Sequence, residues 1–306
     1  MSNSSIFKTY APKSKVAVIG VAIDRSNDFL CIGQHLSKNK PTLTLFELNK
    51  KDAYRVIEMS NPVYSIFFKN NQAVIYSVNN ANDFFVLHEY NIETKNIEVL
   101  YEFKNNYNQL FLPRFGEVVL LLEEENMVFY NFLKKEKTHI IPLTKIDKKD
   151  VSNLKVNIFD DNSILVNGEE GKLNLYDFIE HKNIKHFLGN FDEIEFVGTS
   201  KNICYAVGEF GRGIFIWDKE TANPIKGDFL NDPDFVVLSV AISSDEQFLA
   251  LGNHVGFISI INLHSGSLVF SERIHKRRIH ALQFSHNDEF LISGGGDAQV
   301  HLIRFN

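Results

Sequence analysis

The sequence predicts an all-β fold of seven four-stranded antiparallel units, closed into a ring by its two ends. Two observations predict it. Near the C-terminus, the segments 275–285, 289–297 and 300–305 hold short alternating apolar runs separated by Ser, His, Asn, Asp and Gly. That pattern reads as a three-stranded meander with inward residues at every second position. The unit also recurs. First strands of successive units begin near residues 16, 62, 106, 151, 192, 234 and 276, giving spacings of 46, 44, 45, 41, 42 and 42 residues. A period in the low to middle forties is that of a four-stranded β-propeller blade.

Each element follows from a run of Val, Ile, Leu, Phe or Tyr bounded by turn-forming residues. The first unit is expected to hold strands at 16–23, 28–33, 42–48 and 54–59, and the second at 63–68, 73–78, 84–90 and 97–103. The third should hold 109–115, 118–122, 127–133 and 138–143. The fourth and fifth read less clearly, at 154–159, 163–167, 173–178 and 185–188, then 193–197, 203–207, 214–217 and 224–229. The sixth holds 236–242, 248–251, 258–263 and 268–274. The seventh supplies three strands only, so its fourth is expected from residues 5–10, which would remove an otherwise open edge.

Composition is consistent with one domain spanning residues 1–306. No Pro/Gly/Ser-rich linker, low-complexity tract or like-charge block divides the chain, and 44% apolar content with 27 Phe suffices for seven inter-blade layers. No apolar run approaches the ~18 residues of a membrane-spanning helix, so no membrane insertion is expected. The start lacks a basic and an apolar region, which predicts no secretory signal. Cys31 and Cys204 fall in second strands of non-adjacent blades and are expected as free buried thiols, which points to a reducing, cytoplasmic compartment. A formal net charge of −6 argues against general affinity for nucleic acid, leaving it possible only through a local basic loop, Lys276, Arg277 and Arg278.

The last unit resembles a repeat of the WD-repeat β-propeller family. His275 stands ahead of the first strand, Ser293 in the second, and Asp297 in the turn four residues later, with Ile303 where the family places Trp. Trp217-Asp218 in unit five, Tyr176-Asp177 in four, Ile261-Asn262 in six and Phe46-Glu47 in one occupy the same slot. The resemblance is strongest in the last two units, weaker in four and five, and only periodic in the first three. It implies that His275, Ser293 and Asp297 form a buried hydrogen-bond network that pins the loop to the blade. The same three residue types would serve a hydrolase, where His takes a proton from an accessible Ser; the structural role is the expectation here. The run Gly294-Gly295-Gly296 precedes a strand and no Lys-Ser/Thr follows it, so it is read as a turn and not a phosphate loop.

No catalytic constellation, cofactor motif or metal-ligand spacing emerges: the eleven His lack ligand spacing and there is no Cys-x-x-Cys. His280 and His301 fall in strands and are read as packed or rim residues. Asp24, Glu124 and Asp160 have plausible depth for a catalytic propeller but form no set. The resemblance therefore implies a non-catalytic scaffold subunit that binds one or more other proteins. The alternatives are an accessory RNA-binding subunit of an RNA-modifying complex, or a small-molecule enzyme at the central channel. On the top face the expected partner-binding residues are Phe210, Arg212, His254, Lys276, Arg277 and Arg278, with Gln34, His35, Asn80, Asp83 and Asn253 nearby.

Overall fold

The structure is a computed structural model. It describes residues 5–12, 15–35, 42–50, 54–59, 61–70, 72–79, 84–104, 110–111, 118–123, 125–146, 154–168, 171–189, 193–208, 213–226 and 235–304. Seven four-stranded antiparallel sheets form a seven-bladed β-propeller. β1 is Ser5–Tyr10. Blade one follows as β2 (Val18–Ile23), β3 (Phe29–Gln34), β4 (Thr42–Glu47) and β5 (Tyr54–Glu58). Blade two is β6 (Val63–Asn70), β7 (Ala73–Asn79), β8 (Phe84–Asn91) and β9 (Ile97–Lys104). Blade three is β10 (Leu110–Phe111), β11 (Val118–Glu123), β12 (Asn126–Asn131) and β13 (Glu136–Pro142). Blade four is β14 (Val156–Ile158), β15 (Ser163–Asn167), β16 (Leu173–Asp177) and β17 (Lys182–Phe187).

Blade five is β18 (Ile194–Thr199), β19 (Ile203–Gly208), β20 (Ile214–Asp218) and β21 (Pro224–Lys226). Blade six is β22 (Val237–Ile242), β23 (Phe248–Asn253), β24 (Phe257–Asn262) and β25 (Leu268–Arg273). Blade seven is β26 (Ile279–Phe284), β27 (Phe290–Gly295) and β28 (Val300–Arg304), completed by β1 on the outside of β28. The expected N-terminal closure is thus present, from Ser5 opposite Arg304 to Tyr10 opposite Val300.

Burial explains the sequence pattern. A blade is covered on both faces by its neighbours, so its second and third strands bury residues of both parities. β15 and β27 are buried at every position. The fourth strand lies at the edge and is more exposed: β17 alternates between exposed and inward residues, and β25 buries only Phe270. Such strands carry a weaker apolar signal, and β17 accordingly begins three residues earlier than its sequence suggested.

The chain forms two compact units, 1–104 with 238–306, and 105–237. Blades one, two, six and seven belong to the first, and blades three to five to the second. Within the first, Leu43 and Leu45 pack with Val63, Tyr76 and Tyr90 between blades one and two. Val18, Ile32 and Phe46 pack with Ile292, Val300 and Leu302 between blades one and seven. Within the second, Leu120 and Phe129 meet Val156 and Tyr176, and Leu165 and Phe187 meet Cys204 and Trp217. At about 25 cal/mol per Å², burial of these aliphatic and aromatic layers is the dominant stabilising term.

The slot held by Trp217 has a two-part role. Its occupants Phe46, Tyr90, Tyr130, Tyr176, Ile261 and Ile303 are all buried. In blades four and five the ring also reaches back: Tyr176 Oη donates to the Lys145 carbonyl at 3.0 Å, and Trp217 Nε1 to that of Leu188 at 3.2 Å. The following residue, Asn91, Asn131, Asp177, Asp218 or Asn262, accepts backbone N–H groups of the turn it opens. Four residues on, Lys95, Lys135, His181, Ala222 and Gly266 all have positive φ. The pair therefore sets the turn as well as the packing.

Candidate functional site

The resembled network is formed. His275 lies just before β26, Ser293 within β27 and Asp297 in the β27–β28 turn. His275 Nδ1 is 2.8 Å from Asp297 Oδ1, and Nε2 is 2.9 Å from Ser293 Oγ. With Nδ1 protonated, the imidazole donates to the carboxylate. Asp297 also accepts the backbone N–H groups of Lys276, at 2.8 Å, and Gln299, at 3.2 Å. Burial pushes the Asp297 carboxyl up, but the hydrogen bond from His275 and those from the backbone outweigh it, bringing the pKa down to about 2. A Cβ at Gly295 would stand 2.3 Å from His275 Nδ1, so only glycine admits the imidazole there. Ser293 is wholly buried. Its hydroxyl is a partner of the ring and is not presented at the surface.

The network extends to the N-terminal strand. His301 meets the edge of His275 at 4.7 Å between ring centroids, and its Nδ1 lies 2.9 Å from Thr9 Oγ1 of β1. Burial, followed by the charge of His275, lowers the His301 pKa to about 4, against a small opposing effect of Asp297. Reading His301 as a packed residue agrees with its burial.

Above this network a recess of about 650 Å³ opens on blades six, seven and one. Its cations are Arg273, at the end of β25, and Lys276, Arg277 and Arg278, on the loop that His275 anchors. Its histidines are His254 from the β23–β24 turn, His280 from β26 and His35 from the end of β3. Ala17, Ile19 and Val255 supply apolar wall, and Gly296 completes the lining. None of the eleven lining residues is acidic. Burial, then the charges of Arg278, His35 and His275, lower the pKa of His280.

The loop is held from three sides. Asp297 takes the Lys276 N–H, and the Gly296 N–H donates to the Arg278 carbonyl at 2.8 Å. The Gly256 carbonyl accepts the N–H groups of Ile274 and His275 at 3.0 and 3.1 Å. Gly256 has φ +95, and a Cβ there would stand 2.1 Å from the His275 carbonyl oxygen, so the turn and loop approach this closely only with glycine.

Of the expected top-face residues, His254, Lys276, Arg277 and Arg278 converge on the recess, as does His35. Phe210 and Arg212 lie outside the described residues, as do Asn80, Asp83 and Glu124. Gln34 and Asn253 are buried, contrary to expectation. Gln34 Nε2 donates to the Val16 carbonyl, and Asn253 Oδ1 accepts from Val255 and Phe257, because both side chains fasten strand ends. The triple glycine is likewise only partly a turn. Gly294 and Gly295 are strand residues, and a Cβ on Gly294 would meet Val18 of blade one at 2.6 Å.

Arg273 was not singled out by the sequence, and His280, read there as a packed or rim residue, reaches this recess from β26. A second missed signal lies at the opposite ends of the strands. The segments Asp24-Arg-Ser-Asn-Asp-Phe29-Leu30, Ser243-Ser-Asp-Glu-Gln-Phe248-Leu249 and Ser285-His-Asn-Asp-Glu-Phe290-Leu291 align. Each first residue is buried and accepts the N–H of the Phe five places on, and Asn27, Glu246 and Asp288 share positive φ. Asp24 is therefore a turn former.

Among the described residues, no group of three His, Cys, Asp or Glu is placed to hold a metal ion. Among the same described residues, no helix is long and apolar enough to cross a membrane. No family model and no curated protein matches the chain.

Proposed function

We propose that this chain is a divergent WD-repeat propeller acting as a non-catalytic scaffold subunit that docks other proteins. The observation that supports this most is the pairing of a locked network with an open recess. The residue types that could do nucleophilic chemistry are buried and mutually bonded, and they hold a cationic loop against blade seven. Arg supplies a planar fork for carboxylates and phosphates, and such groups are commonly the anchors of interfaces. The tied loop fixes their backbone before binding, so that only the exposed side chains remain to be ordered.

The test is capture from the native source at physiological salt, with and without nuclease, using the wild-type chain and an Arg277→Glu/Arg278→Glu variant. Stoichiometric protein partners that survive nuclease support the reading. A chain that elutes alone, or turns over a small molecule with its recess intact, overturns it. The basic recess also favours a second reading, an RNA-binding accessory subunit. Retention on RNA or heparin at that salt, lost in the variant, would favour it over the first.

A further inference from the structure

We propose that the recess on blades six, seven and one is a binding site for a compact polyphosphate anion, such as an inositol polyphosphate or the phosphate chain of a nucleotide. The inference shares its residues with the docking surface above but does not need a protein partner.

Three features carry it. First, charge is concentrated: Arg273, Lys276, Arg277 and Arg278, with three histidines, line about 650 Å³ of a chain whose formal net charge is −6. A cleft lined by one sign focuses the field and concentrates counter-ions. Asp297, ionised beneath the loop and bonded to His275 and to the Lys276 and Gln299 N–H groups, offsets one of these charges and leaves the lining cationic. The Arg277 and Arg278 guanidinium groups carry no ion pair among the described residues.

Second, the lining offers donors and almost no acceptors. Apart from neutral imidazole nitrogens, no side chain among the described lining residues accepts a hydrogen bond. An acidic peptide brings a backbone N–H with every carbonyl and spreads its carboxylates along ~3.3 Å per residue. A polyphosphate brings acceptors only, with several charges inside a few ångströms. The chemistry of the recess therefore favours phosphate over an acidic segment.

Third, the site is preorganised. The stems of Arg277 and Arg278 and the His280 ring meet around Gly296, where a Cβ would be in ordinary contact, 3.4 Å from Arg277 Cβ, 3.4 Å from Arg278 Cγ and 3.5 Å from His280 Nε2. The loop is tied by Asp297, Gly296 and Gly256 before any ligand arrives. Holding like charges together is unfavourable in itself, and a multivalent anion relieves that repulsion.

The experiment is calorimetric titration of the full chain with inositol hexakisphosphate, inorganic triphosphate and ATP, at about 0.15 M salt. Poly-glutamate and single-stranded RNA serve as comparisons. The expected result is one site for the polyphosphates. Arg277→Gln/Arg278→Gln should weaken it at least tenfold, and so should Val255→Asp, which sets a carboxylate at the exposed rim. Both variants should keep the wild-type melting temperature. Equal affinity for triphosphate and ATP would locate recognition in the phosphates alone, and tighter ATP binding would assign a nucleotide source. Absence of polyphosphate binding overturns the proposal, as does binding unchanged in both variants. Tighter binding of poly-glutamate or RNA at the same site also overturns it. Failure here leaves protein capture intact, whereas loss of capture with retained polyphosphate binding would count against the scaffold reading alone.

Discussion

Asp297 accepts from one imidazole and two backbone N–H groups, so removing it leaves the buried His275 ring and the part-buried Gln299 N–H without that partner. Each such loss costs on the order of 1–3 kcal/mol. Asp297→Ala should therefore lower the urea midpoint clearly, while any partner binding persists in the folded fraction; an unchanged midpoint would show that the network is dispensable. The same residues set the acid limb of stability. Below pH 6.5 an unfolded His301 takes up a proton before the folded one, whose pKa is about 4, so stability falls as pH drops through that window. Asp297 adds a further loss between pH 3.8 and about 2, because its unfolded carboxyl protonates first. Melting temperature should be level from pH 6.5 to about 8, below the range in which the buried thiols would ionise on unfolding, and decline towards pH 4, with a shallower decline in His301→Gln. An identical slope in that variant would refute the assignment.

β1 covers the edge of β28 and is anchored by more than its ladder. Arg304 lies over the Phe7 ring at 4.5 Å and the Phe290 ring at 5.1 Å, and Thr9 meets His301. Deleting residues 1–12 strips that edge, and the expected outcome in light scattering is dimerisation or loss of solubility. A monodisperse truncated chain of equal stability would contradict it. The blade strands were legible because inner strands bury both faces and read as dense apolar runs. Outer strands were less so: in Lys182-Asn-Ile-Lys-His-Phe187 only alternate residues touch the core, and Lys185 hides the pattern. Asn253 and Gln34 misled for a related reason. Polar residues at strand ends look like loop surface, yet an amide can satisfy backbone groups while buried.

For the whole molecule, the sequence period revealed the number of blades, and the loop at 276–278 revealed part of the recess. Assembling the rest required a neighbour distant in the chain: His35 reaches it from blade one, a proximity no local pattern encodes, whereas Arg273, three residues before Lys276, was within local reach. Both thiols are buried, Cys31 in the first unit and Cys204 in the second, and burial raises their pKa, to about 12 for Cys204. Neither should react with a disulfide reagent in native buffer, and both should react in denaturant. A thiol that reacts at once in the native protein would contradict the packing of its blade.

Trp217 is the one tryptophan of the chain, buried in blade five against Phe187 and Phe215. Its emission is therefore a private optical channel for residues 105–237, while the far-ultraviolet dichroism sums over all seven sheets. Coincident denaturation curves from the two signals would mean that the propeller melts as one cooperative body. A tryptophan transition ahead of the dichroism would mean that blades three to five can loosen while the recess, on the other unit, stays assembled.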